Sequence, residues 1–148
     1  MGKEIERKFL VKKDAWEKIK PAEGKAIIQG YLVKSVDKTI RIRITDSKAF
    51  LTIKGRTTGI SRPEFEYEIP LVDGQDMLDL FCEKVIDKTR YIINEKGLSW
   101  EVDEFRQPRK GLILAEIELN SEEQEISVPN WIDKEVSDDP SFYNANML

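Results

Sequence analysis

The chain has 148 residues, 40% hydrophobic and 35% charged, which suits one globular domain spanning 1–148 with one sizeable core. A net charge of -4 carries no broad basic excess, so a nucleic-acid polymer is not an expected partner and local basic clusters must serve something small. There is no His and only one Cys, Cys82, which removes Ser-His-Asp and Cys-His catalysis, His-ligated zinc and an intrachain disulfide. Any catalysis must come from Asp, Glu, Lys, Arg, Tyr or a metal held by oxygen. No run approaches the ~18 apolar residues of a membrane helix. The charged start carries no apolar export segment, so a cytoplasmic protein without membrane contact is expected.

The first strand is predicted over Glu4–Val11. Side chains alternate in a strand, so Glu4, Glu6 and Lys8 share one face while Ile5, Phe9 and Val11 take the other. Asp14 is a candidate cap for a short helix carrying Ala15, Trp16 and Ile19, ended before Pro21. Ile27–Val33 reads as a strand with Gln29 and Tyr31 on one face. Thr39–Thr45 alternates cleanly, with Ile40, Ile42 and Ile44 opposite Thr39, Arg41 and Arg43. Asp46-Ser47 is a tight connection to a hairpin partner, Ala49–Lys54, which places Thr52 and Lys54 together.

Arg62–Ile69 is the next strand, with Arg62, Glu64, Glu66 and Glu68 on one face and Pro63 at its start or on an edge. Asp73 is a candidate cap for a helix whose Met77, Leu78, Phe81 and Val85 form one apolar stripe, with Cys82 as a small core residue. Lys88–Asn94 and Leu98–Phe105 form a hairpin around Lys96-Gly97. They place Lys88 with Arg90, and Glu101 with Asp103. The last strand, Leu112–Leu119, sets Glu116 and Glu118 opposite Ile113, Ala115 and Ile117. Ser121–Glu123 reads as a helical turn and Val128–Trp131 as irregular. Asp139-Pro140 starts an amphipathic final helix, Ser141–Leu148.

About eight strands thus carry charge of both signs on their polar faces, in repeated Glu-x-Glu and Arg-x-Arg pairs. A half-buried sheet with a charged outer surface explains the alternation but not the pairs. A closed barrel with its charged faces inward explains both, provided that the interior holds a ligand needing both signs. A polyanion with divalent cations fits: Arg and Lys hold phosphates, Glu and Asp hold Mg²⁺ or Mn²⁺.

Glu4-Ile5-Glu6-Arg7-Lys8 resembles the ExExK signature of the CYTH domain, or triphosphate tunnel metalloenzyme, superfamily. Gln29-Gly30-Tyr31-Leu32, Arg41-Ile42-Arg43, Leu51-Thr52-Ile53-Lys54, Arg62 with Glu64-Phe65-Glu66, Asp87–Tyr91, Glu101-Val102-Asp103 and Glu116-Ile117-Glu118 agree in order. The resemblance covers essentially the whole chain and is closest to short bacterial members. It implies a mainly β fold, an eight-stranded antiparallel β-barrel tunnel with a few short flanking helices, binding a small-molecule triphosphate beside Mg²⁺ or Mn²⁺. It further implies Lys8, Arg41, Arg43, Lys54, Lys88 and Arg90 as phosphate ligands, with Tyr31 and Arg62 among the substrate-binding residues. Glu4, Glu6, Glu116 and Glu118 become metal carboxylates, with Asp103 a further candidate and Glu64 and Glu66 as tunnel residues. Glu4, Glu6 and Lys8 are the expected catalytic group.

The compact form most resembles enzymes acting on inorganic tripolyphosphate. A class IV-type adenylyl cyclase, a thiamine triphosphatase and a non-catalytic polyphosphate or nucleotide binder are the other readings. The segment around Phe142, Tyr143 and Asn144 is expected either to plug or gate one tunnel mouth, as in related short members, or to cover an open sheet edge. An exposed sheet edge could support a homodimer, although no interface signal stands out.

Overall fold

The computed structural model describes residues 2–148. Nine strands and two α-helices follow in chain order: β1 Lys3–Val11, α1 Lys13–Ile19, β2 Lys25–Lys34, β3 Lys38–Thr45, β4 Lys48–Gly55, β5 Ser61–Ile69, α2 Leu71–Phe81, β6 Ile86–Glu95, β7 Leu98–Gln107, β8 Ile113–Glu118 and β9 Ile132–Glu135. All pairings are antiparallel, in the order β5-β4-β3-β2-β6-β7-β8-β1-β9, and β1 also pairs β5. That extra pairing closes strands β1 to β8 into a barrel, the arrangement expected from the repeated charged pairs.

The seam is short. Only Lys3, Glu4 and Ile5 pair with β5, opposite Pro63, Arg62 and Ser61. Farther along β1, Phe9 and Val11 pair instead with β9, opposite Glu135 and Ile132. Closure removes most free edges and leaves β9 at the end of the sheet.

The greasy faces point outward, under the helices. Ile5, Phe9, Trp16, Tyr91, Trp100, Val102, Ala115, Ile117 and Trp131 form the main core between the barrel wall, α1 and the β9 lead-in. Trp16 stands between Tyr91 and Trp131, at ring-centroid distances of 5.6 and 5.8 Å, and Trp100 packs on Phe9 at 5.5 Å. Burying three tryptophans whole contributes on the order of several kcal/mol to this side of the barrel. On the other side α2 lies so close to the sheet that Gly74 has no room for a side chain. A Cβ there would stand 2.5 Å from that of Ala49.

Several local expectations are corrected. Lys12 and Pro70 occupy the N-cap positions of the helices, and neither helix has a side-chain cap; Asp14 and Asp73 lie within the first turns, where they complement the helix dipole. Leu78 is buried, but Phe81 and Leu80 face solvent, and α2 ends before Val85, so the stripe is narrower than its periodicity predicts. Cys82 follows α2 as a half-buried free thiol, with its Sγ 3.6 Å from the Tyr31 carbonyl oxygen. Ser121–Glu123 forms bends and turns rather than helix, and the chain after Trp131 is a strand. The final segment is two single 3₁₀ turns, Pro140–Phe142 and Asn144–Met147, with Asp139 capping the first through Ser141 N. Among the described residues no helix is long and apolar enough to cross a membrane.

Candidate active site

The inward faces enclose a cavity of ≈ 680 Å³. Its wall takes Glu4, Glu6 and Lys8 from β1, Tyr31 from β2, Arg41 and Arg43 from β3, and Lys54 from β4. Arg62, Glu64 and Glu66 come from β5, Arg90 from β6, and Glu116 and Glu118 from β8. Period-two alternation on each strand is what brings them together, and pairing register sets their neighbours. Glu6 lies opposite Glu118, Lys8 opposite Glu116, and Lys54 opposite Glu64.

One side is acidic. Lys54 Nζ donates to both oxygens of Glu4 at 2.9 Å and stands 3.5 Å from Glu64. Burial alone would raise Glu4, but Lys54 outweighs it and holds the carboxyl below its usual value. Lys8 stands 3.5 Å from Glu116. Burial opposes ionisation of Glu116, yet Lys8, Arg90 and Lys88 keep it well below the ordinary range. Glu6 forms no ion pair among the described residues. Burial, with Glu116 and Glu4 nearby, pushes it up to about 8. Glu118 is raised too, by burial and then by Glu4. Glu6 and Glu118 are therefore register partners across β1 and β8 that form no ion pair among the described residues.

The opposite side is basic. Arg43 Nε donates to Gln29 Oε1 at 2.9 Å; burial, Arg41 and Arg90 pull its guanidinium down to about 10. Arg41 donates to Thr52 Oγ1 at 3.1 Å and stands 3.5 Å from Glu66, while its Nε, although buried, has no partner among the described residues. Arg90 spans Asp103, at 2.7 and 2.9 Å, and Glu101, at 3.0 Å. Arg62 donates to the Gly55 carbonyl oxygen at 3.1 and 2.9 Å, which fixes it at the end of β4.

Two expected ligands face the barrel interior but do not line the cavity. Lys88 and Asp103 are 0% and 1% exposed and pair with each other at 2.8 Å. Both Asp103 oxygens are taken by Arg90 and Lys88, so the pair holds Arg90 from within the barrel, below the cavity lining. Tyr31 has its ring in a second apolar cluster with Ile86, Phe105 and Leu114.

Four contributors are named from the sequence without a role at the site: Gln29, Thr52, Phe142 and Asn144, the last two as part of a segment expected to plug or gate one tunnel mouth or to cover a sheet edge. Gln29 is fully buried and orients Arg43; Thr52 donates to Glu66 at 2.8 Å. Both share the inward parity of residues singled out, Tyr31 and Lys54, and parity alone could have placed them there. The Phe142 carbonyl oxygen accepts from Lys8 Nζ at 3.1 Å, and Asn144 Oδ1 accepts from Lys88 at 3.2 Å. The sequence marks the segment but not these contacts, which join positions more than fifty residues apart.

A cavity of this size lined by both signs, with arginines crowding one another, is suited to a compact polyanion accompanied by cations. A protein of Acetivibrio thermocellus named inorganic triphosphatase is 46% identical over 100% of this chain and 94% of its own length. One of Nitrosomonas europaea with the same name is 32% identical over 95% of this chain and 93% of its own length. The crystal structure of an inorganic triphosphatase superposes with a TM-score of 0.67 at 28% identity, covering 97% of this chain and 95% of that one. A Hippeastrum adenylyl cyclase homologue described as having dominant triphosphatase activity shares the fold, with a TM-score of 0.61 at 18% identity over 82% of this chain and 80% of that one. The sequence model of the CYTH domain matches residues 2–143, and the chain belongs to the CYTH domain family.

Proposed function

We propose that the protein hydrolyses inorganic tripolyphosphate, using Mg²⁺ or Mn²⁺ bound at the acidic side of the cavity. The observation that carries this reading is the polarity of the cavity. Arg41, Arg43 and Arg90 crowd one side with an unpartnered buried Nε, while Glu6 and Glu118 stand uncompensated on the other. Like charges held this close are unfavourable until an anion and a cation arrive. The names of the two relatives, inorganic triphosphatase, support the same substrate class.

The donor set fits a hard divalent ion. Glu4, Glu6, Glu116 and Glu118 offer only oxygen, from two adjacent strands. Among the described residues no three such groups converge into a closed cage. An open arc of carboxylates suits Mg²⁺ or Mn²⁺, which keep water and take substrate phosphate oxygens as further ligands. When bound, the ion supplies Lewis acidity toward a phosphoryl oxygen and a lowered pKa for water.

The chain's own residues do the rest. Arg41, Arg43 and Arg90 hold the phosphates by paired N–H donors, and Lys8 and Lys54 add point charges between the phosphates and the carboxylates. Their positive charge stabilises the negative charge that spreads over the transferring phosphoryl group. Glu6 and Glu4 orient the attacking water. The water oxygen bonds to a terminal phosphorus, the P–O anhydride bond breaks, and orthophosphate and pyrophosphate leave. Lys88 and Asp103 fix Arg90 rather than touch substrate. Phosphate release from tripolyphosphate, with and without each metal, tests the reading.

A further inference from the structure

Asn144 lies in the second C-terminal 3₁₀ turn, far in sequence from the barrel strands, yet its side chain meets two of them. Its Oδ1 accepts from Lys88 Nζ at 3.2 Å and from Gln29 Nε2 at 3.4 Å. Each donor begins a chain of hydrogen bonds that ends on a cavity arginine. Gln29 turns its Oε1 to Arg43 Nε at 2.9 Å, so its amide is oriented at both ends. Lys88 pairs with Asp103 at 2.8 Å, and Asp103 in turn takes Arg90 through both oxygens. Arg43, Arg90 and Asn144 itself line the cavity, whereas Gln29, Lys88 and Asp103 are buried. One amide oxygen on the C-terminal segment therefore ties together the supports of two arginines on β3 and β6, the strands that flank β2.

The segment itself is fastened independently of Asn144. Phe142, Met147 and Leu148 pack against the second apolar cluster, and Arg109 donates to the Ser141 carbonyl oxygen at 3.2 Å while lying over the Phe142 ring at 4.9 Å. Lys34 Nζ donates to Leu148 O at 3.0 Å. These contacts hold the turn in place, so loss of the Asn144 side chain removes the junction without releasing the segment.

We propose that Asn144 is a positioning residue that presets Arg43 and Arg90 for the triphosphate, acting through Gln29 and through Lys88–Asp103. The inference rests on the tripolyphosphatase reading above. A preset fork loses less freedom on binding an anion than a free one, so the gain is expressed as affinity.

The test is a double-substitution cycle read by calorimetric titration of tripolyphosphate in EDTA, where binding is measured without turnover. Asn144→Ala raises Kd about tenfold, the size expected for one hydrogen bond near charged groups. In a Gln29→Met background the same change costs roughly threefold or less, because one of the two chains is already broken. Ser141 does not line the cavity, and Ser141→Ala, which removes a hydrogen bond within the segment, to the Asp139 carboxylate, leaves Kd unchanged. An unchanged Kd in Asn144→Ala overturns the inference, and so does full additivity with Gln29→Met. Tighter binding overturns it as well, by making the segment a competitor of the anion. Wild-type protein that neither binds nor hydrolyses tripolyphosphate removes the underlying reading instead, so the two failures are distinct.

Discussion

Arg90 holds Asp103 by both carboxylate oxygens, at 2.7 and 2.9 Å, in a place where Asp103 is 1% exposed and Lys88 closes the third side. This buried triad joins β6 to β7 across the Arg90–Asp103 register pair and keeps Arg90 aimed at the cavity. Removing its single anion leaves two buried cations without their shared partner. Asp103→Asn is expected to cost about 3–5 kcal/mol of stability and to lower Tm by about 10 °C, measured by thermal unfolding.

The same carboxyl gives a pH dependence. Burial would raise Asp103, but Lys88 and Arg90 lower it to about 2 from an ordinary value of 3.8. A depressed pKa contributes stability above the unfolded value, lost as pH falls through the folded one. Wild type therefore loses stability between pH 4 and pH 2 more steeply than Asp103→Asn does. Parallel acid-unfolding curves for the two proteins would contradict the assignment.

Glu6 works in the opposite direction. Burial and the neighbouring Glu116 and Glu4 raise it to about 8 from 4.5. A carboxyl with a raised pKa contributes stability that is present below the unfolded value and is lost as pH rises through the folded one. The metal-free protein thus loses stability between pH 4.5 and pH 8 through Glu6. Glu6→Gln is expected to raise Tm at pH 8 by roughly 3–6 °C while abolishing most hydrolysis. Mg²⁺ or Mn²⁺ should raise the Tm of wild type more than that of Glu6→Gln, because the ion relieves the repulsion that the substitution has already removed. Equal shifts in the two proteins would place the ion elsewhere.

Arg43 carries the basic side of the site. Arg43→Ala is expected to lower kcat/KM for tripolyphosphate by ~10²–10³, with the fold retained by circular dichroism. Arg43→Lys should restore little, since an ammonium cannot hold Gln29 through Nε and a phosphate through the terminal nitrogens together. Near-normal turnover in either variant would remove Arg43 from substrate binding.

Much of this arrangement is legible in the residues. Strand period fixes which side chains share a face, so Glu4, Glu6 and Lys8, Arg41 and Arg43, and Glu116 and Glu118 can be placed together before any coordinates exist. Depth is not legible in the same way. Lys88 and Arg90 have the same parity, but Arg90 lines the cavity while Lys88 is buried beside it, held by Asp103 and Asn144. The C-terminal turns escape local rules as well. An amphipathic pattern eight residues long predicts a helix, whereas packing of Phe142, Met147 and Leu148 against Ile86, Phe105 and Leu114 holds two 3₁₀ turns instead. Strand β9 is short and forms only because β5 leaves the edge of β1 after Ile5, an event set by barrel geometry.

The measurement that bears most directly on the central claim is phosphate release from a panel of tripolyphosphate, ATP, thiamine triphosphate and pyrophosphate, each with Mg²⁺, with Mn²⁺ and with EDTA. The account predicts rapid release from tripolyphosphate that requires a divalent ion and exceeds release from the other three. No release from tripolyphosphate with either ion, or cyclic AMP as the main product from ATP, would contradict it.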